Sequence, residues 1–123
     1  MSKTLLAIGA IMGALAVAIG AFGAHGLEGR VSERMLANYQ TGVQYHMFHA
    51  LAIIAVGLTA AVIGGTTLLG WAGSLMLFGI IVFSGSLYTM ALTGMTWLGA
   101  ITPIGGVAFI AGWILLLIVV LRI

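Results

Sequence analysis

Cysteine is absent from this chain, and charge is almost absent: four Lys or Arg and two Asp or Glu occur among 123 residues. Without cysteine there is no disulfide, no thiolate metal site and no cysteine nucleophile. A soluble domain carries about 25% charged residues, so this chain cannot cover itself with a water-facing surface and must use lipid as its solvent. The net charge of +2, with no basic run, is too small to indicate nucleic acid, and no such partner is expected.

Hydrophobic residues make up 63% of the sequence, and they gather in four apolar runs. The runs cover about 5–24, 45–63, 68–92 and 103–121. Each is close to the ~20 residues that a helix needs to cross ~30 Å of hydrocarbon. Lipid offers no hydrogen bonds, so each run should be helical. The sequence therefore predicts an all-α, multi-pass protein of the cell membrane, with residues 1–123 forming a single four-helix domain. The first run also resembles a signal peptide, but it is longer than the usual ~7–15 apolar residues.

Residues 25–44 hold four of the six charged side chains. From Ser32, the predicted N-cap, apolar residues fall on one side of a helical wheel: Met35, Leu36, Tyr39 and Val43. We predict an amphipathic interfacial segment at about 32–44 that runs into the second helix, with Gly42 as a possible bend. A solvated loop helix is the alternative. At the fourth helix, Thr102 is predicted to be the N-cap and Pro103 the first helical residue.

Small residues recur every three or four positions along the first run: Gly9, Gly13, Ala16, Gly20 and Ala24. Helices in lipid associate through close backbone approach, and such stripes favour it. One reading is that every stripe is used inside a four-helix monomer. The number of stripes favours a homo-oligomer, although it fixes no stoichiometry.

Antiparallel threading gathers the polar residues at one membrane face, which we call side X, the face that holds residues 25–44. The candidate pocket residues are His25, Tyr45, His46, His49, Ser84, Tyr88 and Thr102. A conduction path needs polar groups through both halves of the bilayer, so this asymmetry disfavours a channel within one protomer. It favours a shallow pocket. We expect His25, His49 and Tyr88 to lie together in one polar cluster.

The histidines allow three interpretations: a metal or haem site, a proton-responsive site, and structural hydrogen bonding. His25, His46 and His49 are candidate ligands for a metal or haem iron, since imidazole is a common metal ligand. No carboxylate or cysteine joins them within the membrane, and the favoured interpretation is hydrogen bonding that holds helices together, with no cofactor. An enzyme is not expected, because Glu28 and Glu33 lie beside arginines in the surface segment and no nucleophile motif is present.

Four motifs appear in order along the chain: "GAFGAHGL" (20–27), "YQTGVQYHMFHALA" (39–52), "FSGSLY" (83–88) and "LGAITPIGG" (98–106). In these motifs the sequence resembles the family known as domain of unknown function 423, the UPF0382-type membrane proteins, which are related to a eukaryotic transmembrane protein. The resemblance covers essentially the whole chain. It implies four membrane-spanning helices and supplies no activity.

Two functions remain open on the sequence. The first is a membrane binding protein whose side-X pocket accepts a lipid or another small amphiphilic ligand. The second is a structural or accessory subunit whose polar cluster fixes the fold or docks a partner. Ion or proton conduction at an oligomer axis is a weaker third. Positive charges balance across the membrane, but the free amino terminus and the leader that bears Lys3 favour cytoplasmic termini.

Overall fold

Four long helices and no strand make up the molecule, as the sequence predicts. The computed structural model describes the chain from Met1 to Ile123. The helices are α1 (Ser2–Leu27), α2 (Glu33–Ile63), α3 (Thr67–Thr93) and α4 (Thr102–Leu121), and a short 3-10 helix, Thr96–Ala100, precedes α4. Two of them contain a π-helical turn, Gly23–Leu27 at the end of α1 and Ile80–Ser84 inside α3. Each helical segment is long and apolar enough to cross a membrane.

The helix ends follow from particular side chains. Ser32 caps α2 by accepting a hydrogen bond from the Met35 N–H at 3.1 Å, which confirms its predicted role. Thr66 caps α3 in the same way, accepting from the Leu69 N–H at 3.2 Å. Gly94 ends α3 in the left-handed conformation with φ of 75°, which glycine adopts at little cost. These ends fix the short connections that make the helices antiparallel.

The prediction that Thr102 caps the last helix is wrong. The residue that precedes α4 is Ile101, and no side chain caps this helix. Thr102 is already helical, because the 3-10 helix Thr96–Ala100 leads almost directly into α4. Its hydroxyl is therefore free to bond Leu98 and Ser86 instead of the backbone N–H groups of the first turn.

Helix α2 is longer than a bilayer requires. Its 31 residues extend about 46 Å at ~1.5 Å per residue, against ~30 Å of hydrocarbon. The residues of the interfacial segment form its first turns and run into the membrane-spanning part as one continuous helix. Gly42 lies inside this helix, where its missing side chain leaves room for the Tyr88 ring. Side X is thus the end of the bundle where α2 extends farthest.

The helices pack in sequence. Helix α1 lies mainly on α2, α2 lies on α3, and α4 lies mainly on α3. The largest apolar core is shared among the helices and includes Leu5, Ile53, Met76 and Phe109. Helices α2 and α4 therefore lie on either side of α3. This arrangement creates the candidate site described below.

Glycines allow the close approach between α1 and α2. A Cβ added at Gly9 would overlap the Ile54 side chain and would lie 3.1 Å from the Ala50 carbonyl oxygen. Gly9→Ala is therefore expected to lower the free energy of unfolding by ~1–3 kcal/mol. At Gly13 an added Cβ meets nothing within 4 Å, so Gly13→Ala should be neutral or stabilise by up to ~1 kcal/mol. Unfolding in mixed detergent micelles measures both variants, and equal destabilisation would contradict this account of the packing.

Candidate functional site: polar pairs and an aromatic groove at side X

The π-helical turn Ile80–Ser84 determines which way α3 presents its side chains. A π-helical turn holds an extra residue and so rotates everything that follows it. Ser84 is fully buried and donates a hydrogen bond of 2.7 Å to the Gly42 carbonyl of α2. Its neighbour Phe83 faces the space between α2 and α4. One turn of α3 thus binds α2 on one side and forms the floor of a groove on the other.

His46 and Tyr88 form the first polar pair. The His46 Nδ1 and the Tyr88 hydroxyl are 2.9 Å apart, and His46 is only 3% exposed. The Tyr88 ring lies over Gly42, where an added Cβ would come within 2.8 Å of it. The His46 Nε2 is buried near the Met12 backbone of α1 and has no hydrogen-bond partner of good geometry. This pair joins α2 to α3 on the side of the bundle that faces α1.

His49 has a partner on each ring nitrogen. Its Nδ1 lies 2.8 Å from the Tyr45 carbonyl oxygen, which can only accept, so Nδ1 must carry the proton. The Trp113 indole N–H donates to His49 Nε2 at 3.0 Å, so Nε2 must be unprotonated. The ring also stacks on Phe109 with centroids 3.6 Å apart. The two partners therefore fix one neutral tautomer, and Trp113, together with the stacked Phe109 ring, joins α2 to α4.

A third pair joins α3 to α4. The hydroxyls of Ser86 and Thr102 lie 2.6 Å apart, and either can donate. Each has a second partner in the backbone, the Phe83 carbonyl for Ser86 and the Leu98 carbonyl for Thr102. The polar groups between the helices are thus used in pairwise contacts, and each pair involves a different couple of helices.

An aromatic groove runs along the outside of these pairs. It lies between α2 and α4, has Phe83 on its floor and encloses a cavity of about 650 Å³. Its apolar lining includes Phe48, Val107, Ile110 and Trp113, all of which are exposed on the lipid-facing surface. Gln44 and Tyr45 contribute polar groups at its side-X end. The groove therefore has a polar end near the membrane surface and an apolar interior that opens sideways toward lipid.

The expected cluster of His25, His49 and Tyr88 is not present. His25 is exposed and makes no hydrogen bond, because the π-helical turn Gly23–Leu27 directs Gly23 and Leu27 inward instead. Tyr88 pairs with His46. Residues three apart on a helix point about 60° away from each other, so His46 faces α3 and α1 while His49 faces α4. Tyr45 and His49 lie together in the groove, and Ser84 and Thr102 each lie in separate contacts.

Several groove residues were not among the sequence candidates. The most important are the rings of Phe48, Phe83, Phe109 and Trp113. A weak signal existed, since Phe109 and Trp113 are four residues apart and must share a face of α4. Apolar rings in a membrane helix usually face lipid or the core, and nothing in the spacing marks this pair as different.

The arrangement offers no metal-binding cluster and no catalytic one. No group of three or more His, Cys, Asp or Glu side chains converges. Both nitrogens of His49 already have partners, and Glu28 and Glu33 are exposed outside the groove. Nothing in the geometry indicates catalysis.

The His46 contact can be tested with two tyrosines. Tyr88→Phe removes the hydroxyl that faces His46, leaving a buried imidazole with no partner on either nitrogen. We expect a loss of ~1–2 kcal/mol in the free energy of unfolding, somewhat above the ~0.6 kcal/mol average for hydrogen bonds between membrane helices. Tyr45→Phe is the control, because the Tyr45 side chain is exposed and its hydroxyl makes no hydrogen bond. If Tyr88→Phe is as stable as Tyr45→Phe, the contact between His46 and Tyr88 does not contribute to stability.

Four apolar helices with their polar side chains paired toward one face define an integral, multi-pass membrane protein. The chain belongs to the DUF423 family: the model described as "Protein of unknown function (DUF423)" matches residues 19–106. This confirms the resemblance found in the motifs.

Relatives extend the similarity to nearly the full chain. It is 48% identical over 120 residues to the UPF0382 membrane protein YwdK of Bacillus subtilis (strain 168), covering 98% of each chain. It is 48% identical over 122 residues to a UPF0382 membrane protein of Staphylococcus epidermidis, covering 98% of this chain and 97% of the relative. A Staphylococcus aureus UPF0382 membrane protein is 49% identical over 118 residues, covering 94% and 93%. No solved structure matches the chain.

Proposed function

We propose that this protein binds a small amphiphilic molecule in the groove between α2 and α4. The observation that carries the proposal is the groove itself, a cavity of about 650 Å³ within the usual ~300–1,000 Å³ of ligand sites. Its lining is mainly apolar and aromatic, with a few polar groups at one end, which is the composition of sites that orient small molecules. The groove opens toward lipid, so a ligand dissolved in the bilayer reaches it without crossing water.

The pose follows from the lining. The apolar part of the ligand lies against Phe48 and Trp113, and its polar end is directed toward side X, past Gln44 and the Tyr45 hydroxyl. Gly106 leaves the middle of the groove open, because its Cα has only the Phe83 ring nearby, 3.8 Å from an added Cβ. His49 acts indirectly: its bond to the Tyr45 carbonyl, on the same helix, fixes the ring, and its bond to Trp113 holds the α2 and α4 walls together.

A structural or accessory subunit is the second candidate. The polar pairs between helices are closed within the protein, and His49 presents no free nitrogen to a ligand. On this hypothesis the pairs serve only to hold the helices in register, and lipid fills the groove without preference.

Native mass spectrometry in a mild detergent separates the two. A binding protein is expected to retain a defined additional mass, at an occupancy of up to one per protein. That mass should disappear when a substitution places a larger side chain in the groove. A purely structural subunit retains no defined mass, and that outcome would overturn the proposed function.

The same spectrum reports the oligomeric state. We propose a homo-oligomer that associates through a shallow surface along the α1–α2 seam, where α1 contributes the small residues Ala10, Gly13 and Ala14. Small residues allow helices from two copies to approach closely. A spectrum that contains only monomer in mild detergent would contradict this part of the proposal.

A further inference from the structure

A second cavity adjoins the aromatic groove at side X. It encloses about 390 Å³ and is lined by Arg34 and Asn38 of α2, by Thr96 of the 3-10 helix and by the start of α4. Phe83 and Pro103 line both cavities, so the two meet at these side chains. A ligand that follows both cavities would run from a compartment with Arg34, Asn38 and Thr96, near the membrane surface, past the shared side chains into the aromatic, apolar compartment inside the bilayer. We call this course the path.

The only charge in the lining of the two compartments is positive. Arg34 is the one charged residue that lines either cavity, and no carboxylate lines them. The Asn38 amide has only a weak contact, 4.0 Å to the Met35 sulfur, so it is available to donate to a ligand. A guanidinium beside amide and hydroxyl donors is suited to a phosphate group, which accepts several charge-assisted hydrogen bonds.

The length of the path matches one lipid molecule. Arg34 and His49 are 15 residues apart on the same helix, which corresponds to about 22 Å at ~1.5 Å per residue. Half of a bilayer, including its headgroups, is also about 20–22 Å thick. A lipid held along this path would place its phosphate at Arg34 and the end of an acyl chain near His49 and Trp113.

We infer that the amphiphile is an anionic phospholipid, with its phosphate held by Arg34, Asn38 and Thr96 and one acyl chain in the aromatic groove. The inference rests on the proposed function and adds the chemical class of the ligand to it. A free phosphate ion shares the headgroup chemistry but has no part that fills the apolar compartment.

The test uses Trp113 as the reporter. In a Trp71→Phe/Trp97→Phe background, Trp113 is the remaining indole, and it lines the groove. Phosphatidylglycerol or phosphatidylcholine with brominated acyl chains is added in detergent, and quenching of Trp113 gives the Kd of each. Both lipids carry a phosphate, but the choline cation of phosphatidylcholine offsets its attraction to Arg34, so we expect phosphatidylglycerol to bind about tenfold more tightly. Millimolar inorganic phosphate should not displace it.

Two arginines supply the matched comparison. Arg34→Gln should reduce the preference for phosphatidylglycerol to nearly onefold, while Arg30→Gln, which removes the same charge from the same membrane face but lines neither cavity, should retain it. If both variants lose the preference for phosphatidylglycerol equally, the preference comes from surface charge alone and the inference is overturned. Displacement of bound phosphatidylglycerol by free phosphate would also overturn it. If the protein that retains both arginines binds the two lipids equally, the inference is overturned but the proposed function stands. No quenching by either lipid would overturn both.

Discussion

Gly105→Ala is expected to destabilise the protein by ~3 kcal/mol, at the upper end of what overpacking costs. An added Cβ at Gly105 would overlap the Phe83 backbone nitrogen and would lie 2.8 Å from the Phe83 Cα. A flexible side chain can rotate away from such a contact, but a backbone cannot. Phe83 belongs to the π-helical turn Ile80–Ser84, so relieving the overlap requires α3 and α4 to move apart along their whole contact. The measurement is the free energy of unfolding in mixed micelles.

The neighbouring residue is the control for this prediction. At Gly106 the nearest atom to an added Cβ is 3.8 Å away, on the Phe83 ring, which is ordinary van der Waals contact. Gly106→Ala should therefore be neutral or gain up to ~1 kcal/mol from helix propensity. If the two alanine variants unfold alike, the close approach of α4 to the π-helical turn is not what holds this part of the bundle together.

Gly106→Leu is expected to abolish ligand binding while leaving the protein folded. The Cβ has room, and a leucine side chain extends into the groove between α2 and α4 and occupies the space for the apolar part of the ligand. We expect the retained mass in native mass spectrometry, or the affinity measured by Trp113 quenching, to fall by at least about tenfold, equivalent to ~1.4 kcal/mol. Circular dichroism should show an unchanged helical content.

A second leucine checks that the effect is local. Gly85→Leu makes the same change in α3 at a position where an added Cβ meets nothing within 4 Å and which lines neither cavity. It should retain the ligand as the unsubstituted protein does. If Gly106→Leu also retains it, the groove is not the binding site.

The four spans were predictable because each is an uninterrupted apolar run in a chain with too little charge for water. The positions of the polar residues were also predictable in part. Antiparallel threading depends only on span order, and the structure does place His46, Ser84 and Tyr88 in contacts toward the same end of the bundle. Ser32 could be recognised as an N-cap because capping depends on local sequence alone.

The rotation of each helix was not predictable. It decides that Tyr88 meets His46 and that His49 meets Trp113, and it is set by close contacts of glycines spread over all four helices. The sequence shows where backbones can approach but not which neighbour each glycine meets. The π-helical turns add to the problem, since each changes the facing of its own residues and of those that follow, and His25, inside the turn Gly23–Leu27, is exposed.

Photo-crosslinking tests the central claim, that the groove between α2 and α4 holds an amphiphile, most directly. The protein is equilibrated with phosphatidylglycerol that bears a diazirine in its acyl chain, irradiated, digested and mapped by mass spectrometry. We expect adducts to concentrate on residues 44–49 of α2 and 106–113 of α4, and to fall sharply in Gly106→Leu. Adducts spread evenly over exposed positions outside the groove, such as Val62, Trp71 and Leu121, and unchanged in Gly106→Leu would contradict the claim.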